Sequence, residues 1–125
     1  MNFALWSILI CALLPLIWAV VAKVGAPYDN HCPRPVLANA TGYRQRANWA
    51  QQNAWEAFAP YAAAVLIAWQ LKLPAHKLDV AAAIFVVARV LHGICYLANA
   101  ASLRSLFWTV GIVTVIYLFV ASAML

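Results

Sequence analysis

Apolar and polar positions alternate along this chain in long blocks, and the block lengths set the expected elements. Phe3 to Ala22, FALWSILICALLPLIWAVVA, is twenty residues without a charge, long enough for a helix to cross about 30 Å of hydrocarbon. Nothing basic precedes it as in a secretory signal, so it reads as an uncleaved span, in which Pro15 is tolerable. Val24 to Tyr43 concentrates three prolines and two glycines, the composition of an irregular connection. The next helix is expected from Tyr43–Arg46 to Leu71, polar in its first two turns and apolar later, with Pro60 as the place for a kink. KLPAHK makes a turn. Asp79 then opens a third helix, where a carboxylate complements the helix dipole, and Ser102 caps a fourth. The predicted spans are 3–23, 45–71, 79–101 and 103–124. The expected fold is all-α, a four-helix bundle integral to the membrane, forming one domain over 1–125.

Composition agrees with that pattern. The chain is 67% hydrophobic and 9% charged, with a mean hydropathy of +0.85, far from the roughly one-quarter charged balance of soluble domains. Its 125 residues leave no room for a soluble domain beside four spans. Cys11, Cys32 and Cys95 form no CxxC pair and no ligand spacing with His31, His76 or His92, so neither a disulfide framework nor a metal site is expected. The net charge of +5 resides mostly in the connections, which points to the lipid bilayer as partner rather than nucleic acid. Lys23, Arg34, Arg44, Arg46 and Arg104 lie in the first and third connections, against Lys72 and Lys77 in the second. That bias places the first and third connections inside and both termini outside.

Ionisable residues within the apolar blocks carry the candidate chemistry. In RANWAQQNAWEAF, Asn53 and Glu56 share a helical face, with Trp49 and Arg46 one and two turns earlier on a similar side. In the third predicted helix Arg89, His92, Tyr96 and Asn99 fall at i, i+3, i+7 and i+10. A lipid-facing arginine at that depth costs about 2.5–3.5 kcal/mol on insertion scales, so Arg89 should point into the bundle, a subunit interface or a wet cavity. One structural reading is an ion pair between Glu56 and Arg89, with the amides, His92 and Tyr96 as interhelical glue. Trp18, Trp49, Trp69 and Trp108 read as membrane-interface anchors, and Cys11 and Cys95 as packing residues. One ion pair does not require so many further polar groups, whereas a polar ligand would.

At these residues the chain resembles the MAPEG family, the membrane-associated proteins of eicosanoid and glutathione metabolism. RANWAQQNAWEAFAPY is similar to that family's second-helix signature, and ARVLHGICYLANAASLRS to its Arg-x-x-His-x-x-x-Tyr helix followed by Arg-Ser. YDNHCPR, Tyr28 to Arg34, is similar to the bacterial branch, implying a bacterial inner membrane. The resemblance implies a homotrimer of four-helix protomers, with glutathione as cosubstrate between subunits and a lipophilic small molecule arriving from the bilayer. Asn53 and Glu56 would hold polar groups of the tripeptide, with Gln51 as a further contact and Arg46 one turn away. Arg89, His92 and Tyr96 would line the cavity. Arg104 would stabilise the thiolate, with Ser105 following as in the prostaglandin-forming member. Trp49 and Gln52 depart from the pattern, because glutathione-using members generally carry an arginine at the first position and the prostaglandin-forming member carries one at the second.

The expected activity is a glutathione-dependent transferase or peroxidase-like reaction on a lipophilic electrophile. The alternatives are a catalytically inert lipid- or ligand-binding member and, in a different class, a small proton-coupled exporter. Such exporters carry their essential glutamate in the first helix, which has no acid here.

Overall fold

The computed structural model describes all residues from Met1 to Leu125 and contains five helices and no strand. Helix α1, Phe3–Lys23, begins where the Asn2 side chain accepts from the Leu5 N–H at 3.3 Å and the Asp79 carboxylate accepts from the Ala4 N–H at 2.9 Å. Asp79 was expected to serve the start of its own helix. It lies a full turn inside that helix and caps α1 instead, because the free N–H groups of a helix start accept any carboxylate in reach.

The connection after α1 is not wholly irregular. Helix α2, Pro33–Ala38, starts at a proline, whose fixed φ and missing N–H suit a first turn, and it buries Leu37 against Ala22 and Ala47.

Helix α3, Gly42–Gln70, runs through Pro60 for 29 residues. Helix α4, Ala75–Leu97, starts earlier than expected and stops sooner, and helix α5, Ala101–Ala123, follows at once. The ends of α3 and α4 share one closure. Leu73 N–H donates to Ala68 O and Lys72 N–H to Trp69 O, while Ala100 N–H donates to Cys95 O and Asn99 N–H to Tyr96 O, at 2.9–3.1 Å. Both are Schellman closures, which need a left-handed residue just past the helix, and Lys72 (φ 62°) and Asn99 (φ 57°) supply it. Asn99 therefore leaves the polar stripe expected of α4. Ser102 is not a cap either, because it falls in the first turn of α5 behind Ala100.

The four long helices pack antiparallel in sequence order. Ser7 and Tyr61 share a hydrogen bond of 2.6 Å at one end of the α1–α3 pair, and Arg44 Nε donates to Ala22 O at 2.9 Å at the other. Tyr61, fully buried, stacks flat on Phe85 of α4 with ring centroids 3.7 Å apart. Trp18, expected as an interface anchor, is only 6% exposed. Its ring lies against Gly93, where a Cβ would collide with it, so a glycine lets α1 approach α4.

Helices α1, α4 and α5 are each long and apolar enough to cross a membrane. Helix α3 exceeds them in length but is not in that class, because Asn53, Glu56 and Gln70 keep even its more apolar later turns too polar.

Candidate functional site

The polar faces predicted on α3 and α4 meet. Arg89 is 4% exposed and its Nη2 donates to Asn53 Oδ1 at 2.6 Å. This bond, and not an ion pair to Glu56, joins the helices; the one ion pair in the chain, His31 with Asp29, lies in the exposed first connection. A buried guanidinium needs acceptors or it is costly to hold. Asn53 provides one, and most of the five donors of Arg89 are left for other partners.

One turn further along α4 the side chains stack. His92, 2% exposed, meets the Tyr96 ring edge-on with centroids 5.4 Å apart, and Trp49 approaches that ring from α3 at 6.4 Å. The Arg104 guanidinium sits over the Tyr96 ring, 4.6 Å from its centre. Aromatic rings attract a cation to their faces, so Tyr96 fixes where the Arg104 charge stands. Arg104 is in the first turns of α5, whose leading N–H groups have no side-chain cap. A guanidinium and a helix N-terminus together make this spot favourable for an anion.

A cavity of about 190 Å³ opens beside Arg89. Asn53, Glu56, Arg89 and Trp108 form its polar rim, and Pro60, Phe85 and Gly111 its apolar wall. Pro60 has no N–H, so the Glu56 carbonyl four residues earlier loses its helical partner and is left as an acceptor beside the cavity. A Cβ at Gly111 would stand 3.6 Å from Phe85 and 3.7 Å from Arg89, ordinary contact that would cost cavity volume and not fold.

Glu56 itself is exposed on the single chain. It stands at the middle of α3, about 21 Å from either end at 1.5 Å per residue. The Tyr61–Ser7 and Asn53–Arg89 contacts lie on either side of it along α3. A carboxylate facing lipid at that depth is costly, so this face calls for a polar cover.

The structure divides the expected site residues into groups. Asn53, Glu56 and Arg89 share one cavity, while His92, Tyr96 and Arg104 form a stack on the adjoining turns. Arg104 does not line the Glu56 cavity. Arg46 is engaged elsewhere: its Nε and Nη2 donate to Leu97 O at 3.2 and 3.1 Å, satisfying a carbonyl that the end of α4 leaves free. Arg44 serves Ala22 O at the end of α1 in the same way. Ser105 is exposed, and its carbonyl accepts from Thr109 Oγ1. Gln51 Oε1 and His92 Nδ1 are buried with no partner, and such atoms cost about 1–3 kcal/mol unless something answers them. Sequence reasoning missed Trp108 and Gly111. Trp108 was legible, since it stands four residues after Arg104 and so on the same helical face.

Three apolar helices and a fourth with an Asn-x-x-Glu face thus pack together, and of the Arg-x-x-His-x-x-x-Tyr face opposite it Arg89 shares the Asn53–Glu56 cavity while His92 and Tyr96 form the adjoining stack. The model of the MAPEG family matches residues 3–124. The chain belongs to the MAPEG family. No curated protein and no solved structure matches it significantly. MAPEG membership, with three helices long and apolar enough to span, makes it an integral membrane protein in contact with the lipid bilayer. The MAPEG family includes glutathione transferases and peroxidase-like members.

Proposed function

We propose that this MAPEG protein is a glutathione-dependent transferase or peroxidase-like enzyme acting on a lipophilic electrophile, assembled as a homotrimer of four-span protomers. The observation that carries the reading is the exposed Glu56 at mid-depth, on the rim of a cavity that also holds Asn53 and Arg89. A neighbouring copy covering that face would convert an open rim into a closed, polar site and remove the cost of a lipid-facing carboxylate. The charge bias of the connections supports an orientation with the Arg104 end of the protomer inside and both termini outside.

The side chains present suit glutathione, which carries two carboxylates, one ammonium and two amides. Glu56 would take the ammonium or an amide, Arg89 would offer its free donors to a carboxylate, and Gln51 and His92 hold buried atoms without partners. Arg104 would stand by the thiol. A thiol with a free pKa of about 8.5 is ionised only to a few per cent at neutral pH, and a fixed guanidinium at a helix start favours the nucleophilic anion. Tyr96 would hold that guanidinium in place, and the surrounding apolar helices would admit the electrophile from the bilayer. In the transfer step the sulfur forms a bond to the electrophilic carbon, and the leaving group departs with its electron pair.

One observation favours the inert binding reading. Trp49 packs against Tyr96 and Arg46 is spent on Leu97 O, which leaves this part of α3 short of cations for carboxylates. Purified protein in detergent, given glutathione and an electrophilic aromatic halide, separates the two. Conjugation that falls about 10-fold or more in Arg104→Leu, the loss of one electrostatic stabiliser, supports the enzyme. Glutathione binding without conjugation supports the inert binder, and the absence of both rejects the glutathione reading.

A further inference from the structure

On the other side of α5 from the Glu56 cavity, a second hollow of about 590 Å³ runs between α4 and α5. Its wall on α4 carries His76 and Lys77 at the helix start and then Val80 and Ile84, and Val113 and Tyr117 face them from α5. Thr109 and Thr114 also line it, yet their hydroxyls donate to Ser105 O and Val110 O of their own helix at 2.8 Å. Turned back in this way, they present methyl groups, and the body of the hollow is apolar throughout. At Ile84 and Val110 it meets a further furrow of about 350 Å³ lined only by apolar side chains, among them Val87, Leu91 and Phe107.

The mouth is cationic without a compensating acid. Lys77 is exposed and makes no ion pair, and Asp79, the nearest carboxylate on α4, is engaged by the Ala4 N–H of α1. Tyr117 is half-exposed at the α5 side of the same hollow. From Lys77 to Ile84 the helix rises about 10 Å, so the hollow follows most of the roughly 15 Å depth of one leaflet. A charged mouth at the helix end, followed by an apolar trough running inward along the helices, has the polarity of one phospholipid in its own leaflet. The side of α5 toward Trp108 and Gly111 faces the polar cavity, and this trough lies on its other side.

We propose that the α4–α5 hollow is a seat for an anionic phospholipid of the bilayer, with its phosphate on Lys77, assisted by Tyr117, and an acyl chain along Val80, Ile84 and Val113. A basic side chain at the membrane surface favours an anionic lipid about fivefold over a zwitterionic one. Selectivity therefore resides in Lys77 and occupancy in the trough.

Native mass spectrometry of the purified full-length protein, exchanged against equal amounts of phosphatidylglycerol and phosphatidylcholine, tests this. The wild type should retain phosphatidylglycerol in preference by about fivefold. Lys77→Gln, at an exposed position, should bring the two lipids to near parity. Ile84→Trp or Val113→Trp, either of which fills the trough, should reduce retention of both lipids at unchanged helix content by circular dichroism. Equal retention by the wild type, an undiminished preference in Lys77→Gln, or full retention in the folded tryptophan variant overturns the proposal. So does retention of a free fatty acid in place of the phospholipid.

Discussion

Arg89 and Arg104 are both arginines of the candidate site, and their surroundings ask different things of them. Arg89 is held by one short bond to Asn53, a charge-assisted contact worth about 1.5–3 kcal/mol. Asn53→Leu removes the acceptor and strands a buried cation, so thermal denaturation in detergent should show a loss of at least that size, whereas Asn53→Asp should retain the fold. Arg104 is held by the Tyr96 ring alone, at about 0.5–1 kcal/mol. Tyr96→Phe should keep the guanidinium in place and preserve conjugation, and Tyr96→Leu should lower the rate. In the first connection, Asp29 accepts from the His31 N–H, the Cys32 thiol and the His31 ring. These bonds, the His31 N–H foremost, hold its carboxyl below the usual range. With a depressed folded value, the turn is stabilised above the ordinary carboxylate pKa and loses that support as pH falls through the depressed one. The His31 amide, followed by NMR on acidification, should report that loss.

At the scale of elements, helix ends set the arrangement as much as helix faces do. Arg44 and Arg46, two residues apart at the start of α3, clamp the last carbonyls of α1 and of α4, where a cation also complements the helix dipole. Arg46→Ala should lower stability by about 1 kcal/mol or slightly more for a charged hydrogen bond lost at a helix end. Lys72, left-handed at φ 62° in the closure of α3, stands where glycine has no steric penalty. Lys72→Gly should raise the melting temperature. Gly93 does the reverse: Gly93→Leu would drive into the Trp18 ring, and overpacking costs about 1–3 kcal/mol, to be read from both melting temperature and tryptophan emission. The length and polarity of the apolar blocks made α1 and α5 legible to within a residue or two. Helix α2 was hidden because six residues, two of them prolines, carry no periodicity, and its Leu37 anchor depends on distant Ala22 and Ala47. Asp79 and Arg46 were assigned by their own helices, while their partners lie on others, which spacing along one helix does not reveal.

The whole molecule turns two faces to its surroundings that differ in kind. One carries Glu56 on a cavity rim at mid-depth, and the other is the apolar furrow between α4 and α5. The Asn-x-x-Glu and Arg-x-x-His-x-x-x-Tyr faces were readable because polar residues in apolar blocks stand out at helical spacing, and the structure brings Asn53, Glu56 and Arg89 to one cavity. The place of Arg104 was not readable, since its position over Tyr96 and outside that cavity depends on how α5 crosses α4. The proposed trimer predicts that neighbouring copies meet at the Glu56 face, so a cysteine replacing Gln52 on a background without Cys11, Cys32 and Cys95 should cross-link between protomers. A cysteine at Val80 in the furrow should not. The proposed site itself is tested most directly by ultraviolet difference absorbance of the glutathione thiolate, titrated against pH in the presence of the purified protein. Binding beside Arg104 predicts thiolate at neutral pH, well below the ordinary thiol range, and its loss in Arg104→Leu. No thiolate signal at neutral pH, or the same signal with and without the Arg104 guanidinium, would contradict it.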